Sequence, residues 1–223
     1  MGDLAWQRLI VALDCEDKIK IKRILAALCP KVKKFKIGLI SYVRFGPSLI
    51  KMVKNSGADV FLDLKFFDIP NTMEKAAFSA AELGAWALTV HIKAGIDSLC
   101  RLKKALADFC RKKKLKRPLI LGVSELTSES CSKDKVLRLA GLASKAKLDG
   151  IICSPKEAPF IKKKYKNLKI ITPGIRSNQD LKQDQKRTSS AKEALKAADY
   201  IVVGRPIIGK RDCLKAAKEI LSY

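Results

Sequence analysis

Apolar residues along the chain fall into short, β-branched runs that alternate with longer stretches in which apolar positions recur every three to four residues. The continuous runs are the pattern of strands buried on both faces of a parallel sheet, and they predict strands over 9–14, 35–39, 60–65, 88–92, 119–125, 150–154, 169–174 and 200–205. The periodic stretches predict helices over 17–28, 47–55, 72–83, 96–110, 133–148, 156–165, 190–198 and 213–221. Eight strands, each followed by a helix, make an α/β chain whose expected form is a single (β/α)8 TIM barrel, a parallel eight-stranded closed sheet occupying 1–223 as one domain. An open doubly wound sheet would usually carry a Gly-rich first turn, and Asp14-Cys15-Glu16-Asp17 has none.

Composition narrows the function classes. The seven cysteines (Cys15, Cys29, Cys100, Cys110, Cys131, Cys153, Cys213) are odd in number and include no C-x-x-C pair, so reduced and mostly buried thiols are expected rather than a disulfide framework or a zinc site. With His91 as the sole histidine, a His-based metal site or a Ser-His-Asp triad is hard to assemble. The start of the chain has no signal-type apolar region and no apolar run approaches the ~20 residues of a membrane helix, which gives the expectation of a cytoplasmic protein without membrane contact. Lys and Arg number 46 against 22 Asp and Glu, a net charge of +24. The basic runs carry no zinc-finger or RNP-type signature and few interleaved aromatics for base stacking, so a solvated lysine-rich surface is favoured over nucleic-acid binding. Such a surface would still attract an anionic substrate.

In a barrel of this kind chemistry belongs at the C-terminal ends of the strands. The densest polar stretch there is Asp63-Leu64-Lys65-Phe66-Phe67-Asp68-Ile69-Pro70-Asn71-Thr72. Residues two apart share a strand face, so Asp63 and Lys65 are expected to point into the mouth together, with Asp68 in the following loop and Lys36 joining from the neighbouring strand. An alternating array of this type keeps each lysine protonated and each carboxylate ionised. Late in the chain, Thr172-Pro173-Gly174-Ile175-Arg176 and Gly204-Arg205-Pro206 end consecutive strands where barrels commonly hold a phosphate. Glycine permits close backbone approach and arginine supplies a bidentate fork.

These residues carry a resemblance. The unbroken D-x-K-x-x-D-I-P-N-T from Asp63 to Thr72, with Val11-Ala12-Leu13-Asp14, Lys36-Ile37-Gly38, Val123-Ser124-Glu125-Leu126-Thr127-Ser128, Asp184-Gln185-Lys186-Arg187 and Gly204-Arg205-Pro206, is similar to the orotidine 5'-phosphate decarboxylase family over nearly the whole chain. The resemblance implies a homodimeric, cofactor-independent and metal-free enzyme that converts orotidine 5'-phosphate to uridine 5'-phosphate and CO2. It implies that Asp14 and Lys36 contact the ribose, that Asp63 lies near the scissile carboxylate, and that Lys65 protonates C6. Asp68, Ile69 and Thr72 would reach into the partner's site. Thr127 would contact the pyrimidine, while Gln185, Arg205, Arg176, Pro173 and Gly204 lie on the phosphate side.

Three departures from the family pattern stand out: a glycine-free run over 177–185, Lys93-Ala94 where small residues are common, and Phe67 in place of a frequent His or Tyr. A sister activity of the same superfamily, a metal-dependent keto-sugar-phosphate decarboxylase or hexulose-phosphate aldolase, shares D-x-K-x-x-D but lacks the I-P-N-T continuation. A basic nucleic-acid-binding protein is the alternative from another class.

Overall fold

The computed structural model describes residues 3–124, 132–175 and 190–222. Its centre is a closed barrel of eight parallel strands in sequence order: β1 (Leu9–Ala12), β2 (Lys34–Gly38), β3 (Asp59–Phe66), β4 (Ala87–His91), β5 (Leu119–Val123), β6 (Gly150–Ile152), β7 (Lys169–Thr172) and β8 (Tyr200–Val203), with β8 closing on β1. The helices among the described residues are α1 (Asp3–Gln7), α2 (Lys18–Leu28), α3 (Leu39–Phe45), α4 (Pro47–Asn55), α5 (Pro70–Glu82), α6 (Ile96–Lys113), α7 (Lys133–Lys145), α8 (Ala158–Lys164), α9 (Ala191–Ala194), α10 (Arg205–Ile208) and α11 (Cys213–Ser222).

All eight expected strands and the helices after them are present, and the differences are local. The expected strand over 35–39 stops at Gly38, because α3 starts at Leu39. The helix expected from 72 begins at Pro70, whose fixed φ suits the first helical turn. The segment expected as helix over 190–198 is helical only over Ala191–Ala194. Arg205 does not end β8 but opens α10. Three short helices, α1, α3 and α10, have no counterpart in the periodicity.

Two apolar layers result from strand alternation. Outward strand residues such as Leu9, Val11, Phe35, Val60, Leu88, Ile120 and Ile170 are fully buried against the helices. Each such side chain contributes roughly 1.5–3 kcal/mol relative to exposure. Inward residues Ile10, Ala12, Phe61, Ala87, Leu121, Ile171 and Val202 fill the lumen. At its lower end the Lys34 ammonium lies 5.3 and 5.5 Å from the rings of Trp86 and Tyr200, which meet edge to face. The six described cysteines are free; three are buried, two partly so, and Cys100 is exposed, so "mostly buried" holds for half of them. Burial pushes the thiols of Cys110, Cys153 and Cys213 up, which keeps them neutral.

The N-terminal face is held by one device used twice. Asp149, just before β6, donates its N–H to the Ile120 carbonyl and accepts the Ile120 N–H on its carboxylate (2.8 Å). Asp199, just before β8, does the same with Ile170 (2.7 Å). The Asp149 carboxylate also takes both Arg117 nitrogens at 2.8 and 2.9 Å and Lys103 at 3.1 Å, while Asp199 pairs with Lys162 at 2.8 Å. Burial alone would raise the Asp149 carboxyl, but the hydrogen bonds from Arg117 and Ile120 and the charges of Arg117 and Lys103 bring it below the usual carboxylate range. Arg8 of the segment between α1 and β1 donates to the carbonyls of Leu195, Ala198 and Asp199 beyond α9.

Because the folded-state pKa of Asp149 is depressed, its stabilisation is complete above the unfolded carboxylate value of about 3.9 and is lost as pH falls through the lower folded value. Asp149→Asn is expected to cost about 1–3 kcal/mol at pH 7, with Tm falling by roughly 2–4 °C per kcal/mol. The Tm gap between the two proteins should then narrow as pH drops below about 4. Thermal melts at pH 7 and pH 3 test this, and a gap of equal width at both would show that the charge of Asp149 does not stabilise the fold.

Candidate active site

At the C-terminal mouth the first three strands bring four charges together. Lys36 lies in β2 and is register-paired with Ala12 on one side and Phe61 on the other, so its side chain rises through the lumen. Its Nζ reaches Asp14 Oδ1 at 3.1 Å and Asp63 Oδ2 at 3.5 Å. Lys65 Nζ meets the other Asp63 oxygen at 2.9 Å. The order is therefore Asp14–Lys36–Asp63–Lys65, with Lys36 and Asp63 only 12% and 14% exposed and Asp14 and Lys65 nearer solvent. The expected Lys-Asp-Lys-Asp array was Lys36, Asp63, Lys65 and Asp68; Lys36, Asp63 and Lys65 do meet, but the fourth member of this chain is Asp14, and Asp68 lies exposed on the rim.

Room for this array comes from Gly38. The residue pairs with Asp63 across β2–β3, and a Cβ there would stand 2.6 Å from Asp14 Oδ1 and 2.7 Å from Lys36 Nζ. Gly38 has extended backbone (φ −96°), so it is the missing side chain and not an unusual dihedral that the site requires. Just beyond it, the fully buried Ser41 has the carbonyls of Leu13 and Cys15 within reach of its one hydroxyl proton and accepts from the Cys15 N–H, holding the chain on both sides of Asp14.

Lys65 reaches the mouth by a route simple alternation does not describe. Between β3 and β4, Leu62 pairs with Leu88 and Phe66 with Val90, so Asp63, Leu64 and Lys65 together face Thr89. Lys65 sits in the left-handed region at φ +52°, a conformation that costs a side-chain-bearing residue about 1–2 kcal/mol. Bulges of this kind re-aim a side chain. Thr89, fully buried, accepts from the Lys65 N–H at 2.8 Å and donates to Asp63 Oδ1 at 3.0 Å. Ser41 and Thr89 were not singled out by sequence reasoning. Thr89 carried one usable signal, a polar residue inside the apolar run 87–90 and in phase with His91.

After β3 the chain turns outward. Asp68 accepts from the Ile69 N–H at 2.7 Å, Ile69 caps α5, and Pro70 starts it. Asp68, Ile69 and Thr72 are all exposed on the rim, as are Phe67 and, beside β2, Leu39, Ile40 and Val43 of α3. The Phe67 ring lies 5.4 Å from that of His91 at the end of β4.

Next around the mouth from β1, Gly204 and Arg205 follow β8, and Pro173 and Gly174 follow β7. Gly174 has φ +82°, which glycine alone adopts readily. Gly204 caps α10, its carbonyl accepting from the N–H groups of Ile207 and Ile208, and the Arg205 side chain is exposed. Thr127, Arg176 and Gln185 lie outside the described residues. Among the described residues no group of three or more His, Cys, Asp and Glu side chains is arranged to hold a metal ion.

A closed (β/α)8 barrel with a half-buried chain of alternating aspartates and lysines at its mouth, adjoined by Gly174 after β7 and Gly204 and Arg205 after β8, defines a barrel enzyme with a charge-paired site. The sequence profile described as "Orotidine 5'-phosphate decarboxylase / HUMPS family" matches residues 7–220, and the chain belongs to that family. Its relatives include an orotidine 5'-phosphate decarboxylase of Coxiella burnetii, 38% identical over 96% of this chain and 94% of the relative. One from Prochlorococcus marinus is 40% identical over 96% and 93%. The crystal structure of orotidine 5'-phosphate decarboxylase from Lactobacillus acidophilus superposes with a TM-score of 0.80 at 32% identity, covering 97% of this chain and 98% of that one.

Gly38→Ala tests the packing of the array. With a backbone any residue adopts, the variant should melt within a few degrees of the parent while the new Cβ displaces Lys36 from Asp14. Turnover should fall roughly 10- to 100-fold, the scale of a misplacement of about 1 Å. Steady-state kinetics at matched folded concentration measure the effect, and unchanged turnover would show that the Lys36–Asp14 contact is dispensable.

Proposed function

We propose that this chain acts as a single catalytic domain over 1–223, an orotidine 5'-phosphate decarboxylase that forms uridine 5'-phosphate and CO2 without metal or organic cofactor in the cytoplasm. The observation that carries the reading is the Asp14–Lys36–Asp63–Lys65 chain, in which the proton donor Lys65 stands 2.9 Å from a carboxylate and both lie in the mouth. The family membership and the unbroken motif from Asp63 to Thr72 support it. Among the described residues no helix is long and apolar enough to cross a membrane.

In this reading Asp14 and Lys36 hold the ribose hydroxyls, Thr127 the pyrimidine, and Pro173, Arg176, Gln185, Gly204 and Arg205 the phosphate side. The bond between C6 and the substrate carboxylate breaks heterolytically, CO2 leaves, and the electron pair stays on C6. Lys65 transfers a proton from Nζ to that carbon. Developing negative charge at C6 is stabilised by an ammonium already fixed in place, so little reorganisation accompanies the step. Asp63 beside the leaving carboxylate disfavours the ground state more than the transition state. Phosphate contacts remote from C6 add binding energy.

Asp68, Ile69 and Thr72 serve the second subunit of a homodimer. The exposed apolar residues Leu39, Ile40, Val43, Phe67 and Ile69 flank the ends of the neighbouring strands β2 and β3, and a partner would cover them. Nucleic acid has no role in this reading.

Loss of orotidine 5'-monophosphate absorbance in EDTA, with Lys65→Ala run beside the parent, tests the chemistry. Turnover indifferent to EDTA and reduced at least 10²- to 10⁴-fold by the substitution is the expected result for a general acid. An inactive parent, or one active only with Mg2+, would overturn the assignment. Mixing Lys65→Ala with Asp68→Asn tests the shared site: random heterodimers should restore about a quarter of the parent activity, since one site in each then carries neither change. Mixtures no more active than their components would place Asp68 in its own subunit's site.

A further inference from the structure

We propose that Thr89 is a positioning residue for this reaction, its hydroxyl locking the proton donor Lys65 and the carboxylate of Asp63 into one geometry. The inference rests on the decarboxylase reading for the identity of the reaction. Its structural part stands on the bulge between β3 and β4, where three residues of β3 face Thr89.

A bulge withdraws regular ladder partners, and the Lys65 N–H, held at φ +52°, finds its acceptor in the Thr89 hydroxyl at 2.8 Å. A hydroxyl that accepts in this way has its own proton left to give, and Asp63 Oδ1 lies 3.0 Å away to take it. The same carboxylate oxygen receives Lys65 Nζ at 2.9 Å. The contacts therefore close a ring, from Lys65 N–H to Thr89, from Thr89 to Asp63, and from the Lys65 ammonium back to Asp63. With Oδ1 held twice, the carboxylate plane is fixed and Oδ2 is left facing Lys36 at 3.5 Å. Thr89 is fully buried, so water does not compete for these bonds, and its branched Cβ limits the hydroxyl to few rotamers. Without the hydroxyl, Lys65 loses the bond that holds its left-handed backbone, and Asp63 is free to turn.

Thr89→Val keeps the side-chain shape and removes both bonds, whereas Thr89→Ser keeps the hydroxyl. The expected result is a kcat lowered roughly 10- to 100-fold in Thr89→Val with KM within about 3-fold, since ribose and phosphate contacts are untouched, and recovery to within about 3-fold in Thr89→Ser. A Thr89→Val enzyme within about 3-fold of the parent in kcat, or a Thr89→Ser enzyme as impaired as Thr89→Val, overturns the proposal. Amide hydrogen exchange of Lys65 in the unaltered protein reads the same bond without a variant. Strong protection is expected, and exchange at the rate of a free loop overturns it even if Thr89→Val fails to fold. An unaltered protein that is inactive on orotidine 5'-monophosphate yet protected at Lys65 would sink the decarboxylase reading alone.

Discussion

A carboxylate set between two lysines inside a barrel mouth constrains everything around it. Ionised groups withdrawn from water need partners of good geometry, and removing one leaves its neighbour uncompensated. Asp63 meets that requirement with Lys65 and Thr89 on one oxygen and Lys36 on the other. The surrounding features follow from keeping this arrangement open. Gly38 leaves the space Lys36 occupies, Ser41 holds the turn that carries Asp14, and the bulge brings Lys65 back over Asp63. Strain at Lys65 is tolerated because the hydrogen bonds around it over-determine the conformation.

The two ends of the barrel are built on different terms. At the N-terminal face, Asp149 and Asp199 each clamp a neighbouring strand through main-chain and side-chain bonds, and these contacts are saturated by Arg117, Lys103 and Lys162. At the C-terminal face the polar groups point into the mouth and onto the rim, where substrate and a second subunit are proposed to meet them. Stability and chemistry thus draw on separate sets of charges, a separation inherent in barrels of this class.

Much of the architecture was legible in the sequence. Helix α4 matches the expected 47–55, with Gly46 and Pro47 marking its start and Gly57 lying just past its end, and α6 begins directly after Gly95. The strand order followed from the alternation alone. Helix α3 was not legible because its apolar residues Leu39, Ile40 and Val43 face outward and simply extend the apolar run of β2. Of the site, Lys36, Asp63 and Lys65 were named from residue type and strand position, Asp14 only through the resemblance, and the four converge, whereas Asp68 stays on the rim. The bulge was hidden: no glycine marks it, and lysine is an uncommon occupant of the left-handed region, so Asp63 and Lys65 meet for a different reason from strict two-residue alternation. Thr89 was passed over because a lone threonine in an apolar run more often serves packing than a catalytic array.

The array at the mouth contains two lysines and two aspartates, so formally it carries no net charge, although the whole chain stands at +24. A highly anionic nucleotide, the proposed substrate, would therefore be drawn in by the distant surface and sorted by a locally neutral site. For such a substrate capture and conversion would separate along ionic strength: added salt screens a long-range field that acts on kcat/KM, while the contacts of about 3 Å at the site lie well inside a Debye length of about 8–10 Å. On the proposed function the lysine-rich exterior would then belong to the speed of encounter, and the four paired charges to what happens after it.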